Sequence, residues 1–307
     1  MRVDCHCDTA LWLLQYPSLL ELPAAQQDYQ RISKYLDLAF MDIFINENDH
    51  AEDMPQMFRQ VLQLLLADIQ AHSSLVKPLL WREQLAKPQP HKLLLIAAEG
   101  AGGLGQAGEF LDQYYSLGLR LVGLTWNGAN RYAGGCASDA GLTAEGELLV
   151  KRCNQLGVVL DGAHLNRRSF WQLLEQSTQP VIVSHTCCDA LYHHRRNVDD
   201  EQIKALAAQG GVVGITFVPD FLGGAGDLLQ LCEHIEHAVA LVGSEHVALG
   251  SDFDGCTPVA ELSGVEKLPV LYAALAERGM TAGDIANIAG ASVVNLLRKV
   301  LPSATSL

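Results

Sequence analysis

Near the start of the chain, Asp4-Cys5-His6-Cys7-Asp8 places an imidazole and a carboxylate two residues apart. On a strand, that spacing points His6 and Asp8 to the same side, where they can hold one metal ion without bending the backbone. Such a triplet arises by chance in many proteins, so its weight depends on what accompanies it. Glu99 closes Leu94-Leu95-Ile96-Ala97-Ala98 and is followed by glycine, leaving a charge at the end of an apolar strand. Only solvent, a partner cation or a metal stabilises a carboxylate there. His164 and His185 each close a further apolar run. A lone buried histidine is more often hydrogen-bonded core than ligand, and a salt bridge is the ordinary role of such a glutamate. Two imidazoles on neighbouring strands favour a carboxylate bridging two ions. Asp252, in Gly250-Ser251-Asp252-Phe253-Asp254-Gly255, is placed to take a proton from metal-bound water and pass it to a leaving amine. The alternative, a turn or cap, fits Asp254 better.

These residues can meet only if the elements that carry them converge. Eight short β-rich runs recur: Arg2 to Cys7, Leu38 to Ile45, Leu93 to Ala98, Leu119 to Thr125, Val158 to Ala163, Val181 to Ser184, Gly211 to Phe217 and Val247 to Gly250. Most are continuously apolar, as parallel strands covered on both faces are. Amphipathic stretches lie between them: Pro55 to Leu75, Ala144 to Leu156, Ser169 to Glu175, Asp199 to Gln209 and Leu228 to Val242. Gly157, Gly210 and Gly211 sit where helices should stop, and Asn197 to Asp200 reads as a helix start. Eightfold alternation predicts a (β/α)8 barrel, whose strand ends open onto one face. A doubly wound open sheet is the alternative. Nothing marks a boundary, so residues 1–307 are expected to form a single domain. The tail Thr281 to Val300 is expected to be one helix packed across the barrel outside.

Bulk properties narrow the function. With 35 acidic against 21 basic residues the net charge is −14, so nucleic acid and anionic lipid are poor partners. No apolar run is long enough to span a membrane, and no apolar leader precedes the first motif. A cytoplasmic location is therefore expected, with the eight cysteines unpaired. Cys5 and Cys7 could offer thiolates, but they are expected to face away from His6 and Asp8 and to pack between sheet and helix. Gly103-Leu104-Gly105-Gln106-Ala107-Gly108 fits the dinucleotide pattern GxGxxG, yet no acid for a ribose follows about 20 residues later. His234 and His237, among Glu233 and Glu236, read as a solvated helix face. His193-His194-Arg195-Arg196 reads as a basic surface loop or as the source of an anion-binding arginine.

Together these motifs resemble the membrane dipeptidase (renal dipeptidase) family of zinc peptidases, peptidase family M19, among the amidohydrolase-type barrels. The likeness covers nearly the whole chain. It rests on Asp4-x-His6-x-Asp8-Thr9, Glu99-Gly100, Leu124-Thr125-Trp126-Asn127, Gly141-Leu142-Thr143-x-x-Gly146, Leu160-Asp161-x-x-His164, Ser184-His185-Thr186, Arg195-Arg196-Asn197-Val198 and Gly250-x-Asp252-Phe253-Asp254-Gly255. The resemblance implies two zinc ions, His6 and Asp8 holding one, His164 and His185 the other, and Glu99 both. It implies a water or hydroxide between them that attacks a dipeptide's carbonyl, with Asp252 as proton relay. Arg196 matches the arginine that holds the substrate carboxylate, and Trp126 and Asn127 fall in the substrate pocket. Members are often dimers, so a homodimer is among the partners it implies. Where the membrane-bound members have a histidine after Leu-Thr, this chain has Trp126, whose only donor is its indole N–H. That departure touches substrate range rather than the metals.

Two other enzymatic readings and one non-catalytic reading compete with dipeptide hydrolysis. A binuclear amidohydrolase acting on N-acyl amino acids or cyclic amides would use the same ligands. A nucleotide-binding oxidoreductase would use the Gly-rich loop. A barrel with a degenerate site would be a binding scaffold, although no candidate ligand is missing.

Overall fold

A computed structural model describes residues 1–46, 53–86 and 89–305. All eight apolar runs form strands: β1 (Val3–Asp4), β2 (Leu38–Phe44), β3 (Lys92–Glu99), β4 (Leu119–Gly123), β5 (Val159–Asp161), β6 (Ile182–Thr186), β7 (Val212–Ile215) and β8 (Val247–Leu249). Each pairs in parallel with the next in chain order. The Cys5 N–H donates to the Leu249 carbonyl at 2.9 Å, and the Asp8 N–H to that of Phe253 at 2.9 Å, drawing the ends of the sheet together. The result is a nearly closed eight-stranded parallel barrel with helices around it. A short outer strand, Val76–Pro78, pairs beside β3. Three residues give too little pattern to be legible in advance.

The helices begin where side-chain oxygens can take unpaired N–H groups. Thr143 caps Ala144–Leu156, Asn166 caps Arg167–Gln176, and Asp199 forms a reciprocal pair with Gln202 at the start of Asp200–Ala208. Gly157, at φ 71°, ends the first of these in the left-handed region. Met54–Ala71 and Leu228–Val242 complete the expected set.

Two apolar layers result. Outward-facing Ala39, Met41, Ile43, Leu94, Ile96 and Val183 pack under the helices. Inward-facing Val3, Phe40, Leu95, Leu121, Val159, Ile182, Val212 and Ala248 fill the barrel.

Two expectations about the chain ends need correction. The helix expected over Thr281 to Val300 is broken: Ala282–Ala286 leads into a wide turn, Asn287–Ala291, before Ser292–Val300. Gly290 causes the break, at φ 150°, because a β-carbon there would lie 2.5 Å from Val3 Cγ2. Nor does the final segment lie outside, since Val293, Val294 and Leu297 join the inner layer and plug the barrel floor. Burying each such side chain contributes roughly 1.5–3 kcal/mol.

The second correction concerns β1. Arg2 O accepts from Leu38 N–H and Cys7 O from Asp42 N–H, so Arg2 to Cys7 runs one residue longer than Leu38 to Asp42 opposite it. This is a β-bulge. Cys5 therefore joins the inner layer, while Cys7 packs in the outer one as expected. All eight cysteines are free thiols.

The barrel packs backbone tightly at Gly250, where a β-carbon would run into the Ser184 carbonyl oxygen. Gly250→Ala is expected to cost about 1–3 kcal/mol, a fall of several degrees in Tm, as overpacking does. Gly128→Ala, with nothing within 4 Å, should leave Tm unchanged; equal melting of the two variants by calorimetry would contradict this account.

Candidate active site

Six of the sequence-derived residues meet at the C-terminal end of the barrel. His6 Nε2 lies 3.8 Å from Asp8 Oδ2, 3.7 Å from Glu99 Oε2 and 3.8 Å from Asp252 Oδ1. Glu99 Oε1 is 2.7 Å from His164 Nε2 and 3.7 Å from His185 Nε2, and the two imidazole nitrogens are 2.9 Å apart. Glu99 thus faces His6 with one oxygen and the pair His164 and His185 with the other. The bulge in β1 turns His6 inward, and Asp8 follows as the chain leaves the barrel.

The backbone is held in unusual conformations at two of these positions. His164 and Asp252 have φ of 66° and 61°, and Asp254 67°. L-residues in that region carry strain that the surroundings must hold, and such residues cluster at functional sites. Gly255 is also constrained: a β-carbon there would fall 2.0 Å from Asp8 Oδ2 and 2.5 Å from Asp252 Oδ1.

Three buried carboxylates brace the site: Asp42, which the sequence reading passed over, and Asp4 and Asp161, which it quoted within motifs but gave no role. Asp42, on β2, places Oδ2 3.3 Å from His6 Nδ1. Asp4 accepts from the Ser251 N–H and hydroxyl at 2.9 and 2.6 Å, fixing the turn that presents Asp252. Asp161 accepts from Ala163 N–H and Ser184 N–H, each at 2.9 Å, beside His164 and His185. An acid inside an apolar run was the available signal for Asp42 and Asp161.

Burial and neighbouring charge set the protonation of the cluster. Burial would depress His6, but Asp42, Glu99 and Asp8 raise its pKa well above the usual value. Glu99 resists its own burial because His6, His164 and Arg196 surround it, and its pKa falls to about 2. Burial, aided by Glu99, pushes Asp252 up to about 7. Burial and Arg196 lower His164 to about 4, and burial with His6 and Arg196 takes His185 well below the usual range.

The donor set fits divalent cations. His6 Nε2 is buried without a hydrogen-bond partner, and its carboxylate neighbours stand too far away for hydrogen bonds. His6, Glu99 and His185, and separately His6, Asp8 and Asp252, each bring ligand atoms within 4.8 Å of one another. Donors around a tetrahedral ion with bonds of about 2.0–2.1 Å stand roughly 3.3 Å apart, within the span of separations seen here.

Above the cluster is a cavity of about 520 Å³ walled by Leu11, Phe44, Trp126, Arg196, Phe221 and Cys256, among others. The Trp126 ring packs against Phe44 at 5.1 Å. Asn127 Oδ1 lies 2.9 Å from His164 Nδ1, so its oxygen is engaged behind the imidazole and only its amide group is left for the substrate contact expected of Asn127. Arg196 is 6% exposed, donates to the His185 carbonyl at 3.1 Å and lies over the Phe221 ring. It makes no ion pair among the described residues.

The remaining sequence features lie outside the cluster. His234 is core rather than solvated face: Nδ1 accepts from Cys188 N–H at 2.9 Å, and Nε2 lies 3.1 Å from the Leu222 carbonyl. His237 pairs with Asp200 at 2.8 Å. The Gly-rich loop forms two short 3-10 turns, Ala101–Leu104 and Gln106–Gly108, rather than the start of an α-helix; Gly103 packs on Phe58, where a β-carbon would meet the side chain at 2.7 Å, and the next α-helix starts at Leu111.

Residues 1–306 match the family model described as membrane dipeptidase, peptidase family M19. An uncharacterized protein in the pqqA 5′ region of Klebsiella pneumoniae is 37% identical over 204 residues, 61% of this chain and 75% of that one. A dipeptidase of Claviceps purpurea is 32% identical over 220 residues, 69% of this chain. The match spans about half of that fungal protein's length, 52%. A metallo peptidase from Rhodobacter sphaeroides, solved with a phosphinate mimic of the dipeptide L-Ala-D-Ala, superposes with a TM-score of 0.90. It is 24% identical and the match covers 97% of this chain and 99% of that one. At that identity the likeness speaks for the fold.

The raised groups give a clear sign at neutral pH. Asp252, titrating at about 7 when folded, and His6, raised well above its usual value, bind protons more tightly in the folded chain than in the unfolded one. Their stabilisation is present at low pH and lost as pH rises through the folded values. The metal-stripped protein should therefore melt several degrees higher at about pH 6.5 than at about pH 8.5, with a smaller difference in Asp252→Asn. Added zinc should stabilise more at the higher pH, because it competes with those protons. A stripped protein that melts higher at the alkaline end would contradict the assignment.

Proposed function

The chain belongs to the membrane dipeptidase family, peptidase family M19, and on that premise we propose that it is a zinc-dependent enzyme hydrolysing the peptide bond of dipeptides. His6 and Asp8 would hold one zinc ion, His164 and His185 the second, and Glu99, which faces both sets, would contribute to each. Bound there, the ions would lower the pKa of a water and polarise the scissile carbonyl. Asp252, whose Oδ1 stands 3.8 Å from His6 Nε2 on the floor of the cavity, would accept a proton from the attacking water and pass it to the departing amine. Residues 1–307 act as one unit, because the helix Ser292–Val300 completes the barrel's own core. A reducing, cytoplasmic setting suits eight unpaired cysteines.

The observation that carries the substrate class is Arg196. A buried guanidinium is costly without an anion, and this one faces a cavity with most of its N–H donors uncommitted. A free α-carboxylate supplies that anion with two parallel hydrogen bonds. The walls set by Phe44, Trp126 and Phe221 leave room for a short ligand. The dipeptide mimic held by the Rhodobacter sphaeroides protein suits a cavity of this kind and supports including substrates with a D-residue on the C-terminal side. An N-acyl amino acid also presents a carboxylate, so a binuclear amidohydrolase of that specificity is the second reading.

Arg196→Ala should raise KM for a dipeptide about 10- to 100-fold, the worth of a charged hydrogen-bonded contact, with a smaller fall in kcat. A substrate whose carboxylate is blocked as an amide should not discriminate between the two proteins; equal KM increases for both substrates would remove Arg196 from carboxylate binding. Metal analysis should find about two zinc ions per chain, and His6→Ala should lose part of the metal and the activity while remaining folded. A metal-free protein that stays inactive with added zinc would overturn the proposal.

A further inference from the structure

The three imidazoles of the site all aim Nε2 at Glu99 and turn Nδ1 outward, but each Nδ1 meets a different partner. His6 Nδ1 meets a carboxylate, Asp42 Oδ2 at 3.3 Å. His164 Nδ1 meets the neutral amide oxygen of Asn127 at 2.9 Å. His185 Nδ1 meets the hydroxyl of Ser184 at 2.8 Å. A ring N–H given to a carboxylate makes the opposite nitrogen a stronger donor than one given to a neutral group, and fixes the tautomer that presents the lone pair.

Asp42 is suited to nothing else visible in the structure. It is 1% exposed and sits on the inner face of β2, and His6 Nδ1 is the one ring nitrogen within ion-pair reach of its Oδ2 among the described residues, neither atom being in a hydrogen bond as placed. A buried carboxylate with one imidazole for company is an expensive feature unless that imidazole is cationic or metal-bound. The surrounding field is also uneven. His6 Nε2 lies within 3.8 Å of carboxylate oxygens from Asp8, Glu99 and Asp252. Among the described residues Glu99 is the one carboxylate within 4 Å of the His164 and His185 Nε2 atoms, and this half lies beside the Arg196 guanidinium, which donates to the His185 carbonyl at 3.1 Å. Cations are attracted to the first half and partly repelled from the second.

We infer that Asp42 is a positioning residue for His6 and makes the His6/Asp8 half the tighter of the two cation positions. The inference rests on the binuclear reading above and adds an order to it. The half holding His6 fills first, and the half facing the substrate-binding arginine fills second.

The test is a calorimetric titration of the chelator-stripped chain with Zn2+, which needs no activity. Wild type should bind in two separable steps. Asp42→Asn, isosteric and uncharged, should weaken the tighter step by about 10- to 100-fold, as loss of such a support does, and move the weaker step by less than about threefold. Ser184→Ala should do the reverse, moving only the weaker step. Asp42→Glu, which keeps the charge, should restore part of the tighter step and covers the case in which Asp42→Asn fails to fold, as judged by circular dichroism. A tighter step unchanged in Asp42→Asn, or both steps weakened equally as general loosening would produce, overturns the role of Asp42. Two identical steps in wild type overturn the order of filling. Wild type that binds no zinc overturns the binuclear reading itself, and this inference with it.

Discussion

Everything around the site answers one electrostatic constraint: several carboxylates crowd a single buried imidazole nitrogen. Like charges this close in a poorly solvated place cannot all remain ionised unless cations stand among them. The chain supplies some of that compensation itself through His6, His164 and Arg196 around Glu99, and the proposed ions would supply the rest. The neighbouring architecture follows from it. Buried Asp4 and Asp161 tie the turns on either side, a glycine at 255 leaves room for oxygen atoms, and strained conformations at His164 and Asp252 are held by the packed barrel beneath. Shifting any of these elements by an ångström would change which oxygens face which nitrogen.

Much of this was legible because the chemistry sits at strand ends. Continuous apolar runs such as Leu93 to Ala98 locate parallel strands, and a polar residue closing such a run, as Glu99 and His185 do, has few destinations other than the rim. The helix starts at Thr143 and Asp199 were legible for a similar reason, since a side-chain cap is a local interaction. The bulge in β1 was not, because it depends on register with β2, which no single strand encodes. The same ignorance of register sent Cys5 to the wrong layer. Gly290 was equally opaque: a helical period ran through it, and only contact with Val3, distant in sequence, shows why the helix must break.

His234 and Asp42 illustrate the two ways in which burial escapes a reading of neighbours. His234 lies between glutamates, yet its own face of the helix is inward and its ring joins two segments from elsewhere in the chain. Asp42 lies among apolar residues, where an acid reads as an interruption until its histidine is found on the adjoining strand. The Gly-rich stretch at 103–108 is a resemblance of pattern alone, against which the missing ribose acid already counted. Its pattern belongs to phosphate loops, but the glycine at 103 exists to admit a phenylalanine ring from a neighbouring helix.

The plug formed by Ser292–Val300 also bears on biosynthesis. His6 and Asp8 precede the other candidate ligands along the chain, yet β1 gains its second neighbour only when β8 exists, and its inner face is covered only after the segment beyond Gly290 is in place. The hydrogen bond between Cys5 and Leu249 closes a very long loop, the kind of contact that forms slowly. Until then the unfinished barrel carries a half-assembled set of candidate ligands beside an open sheet edge. Assembly of the proposed metal site is thus coupled to docking of the segment beyond Gly290, which seals the barrel's inner layer.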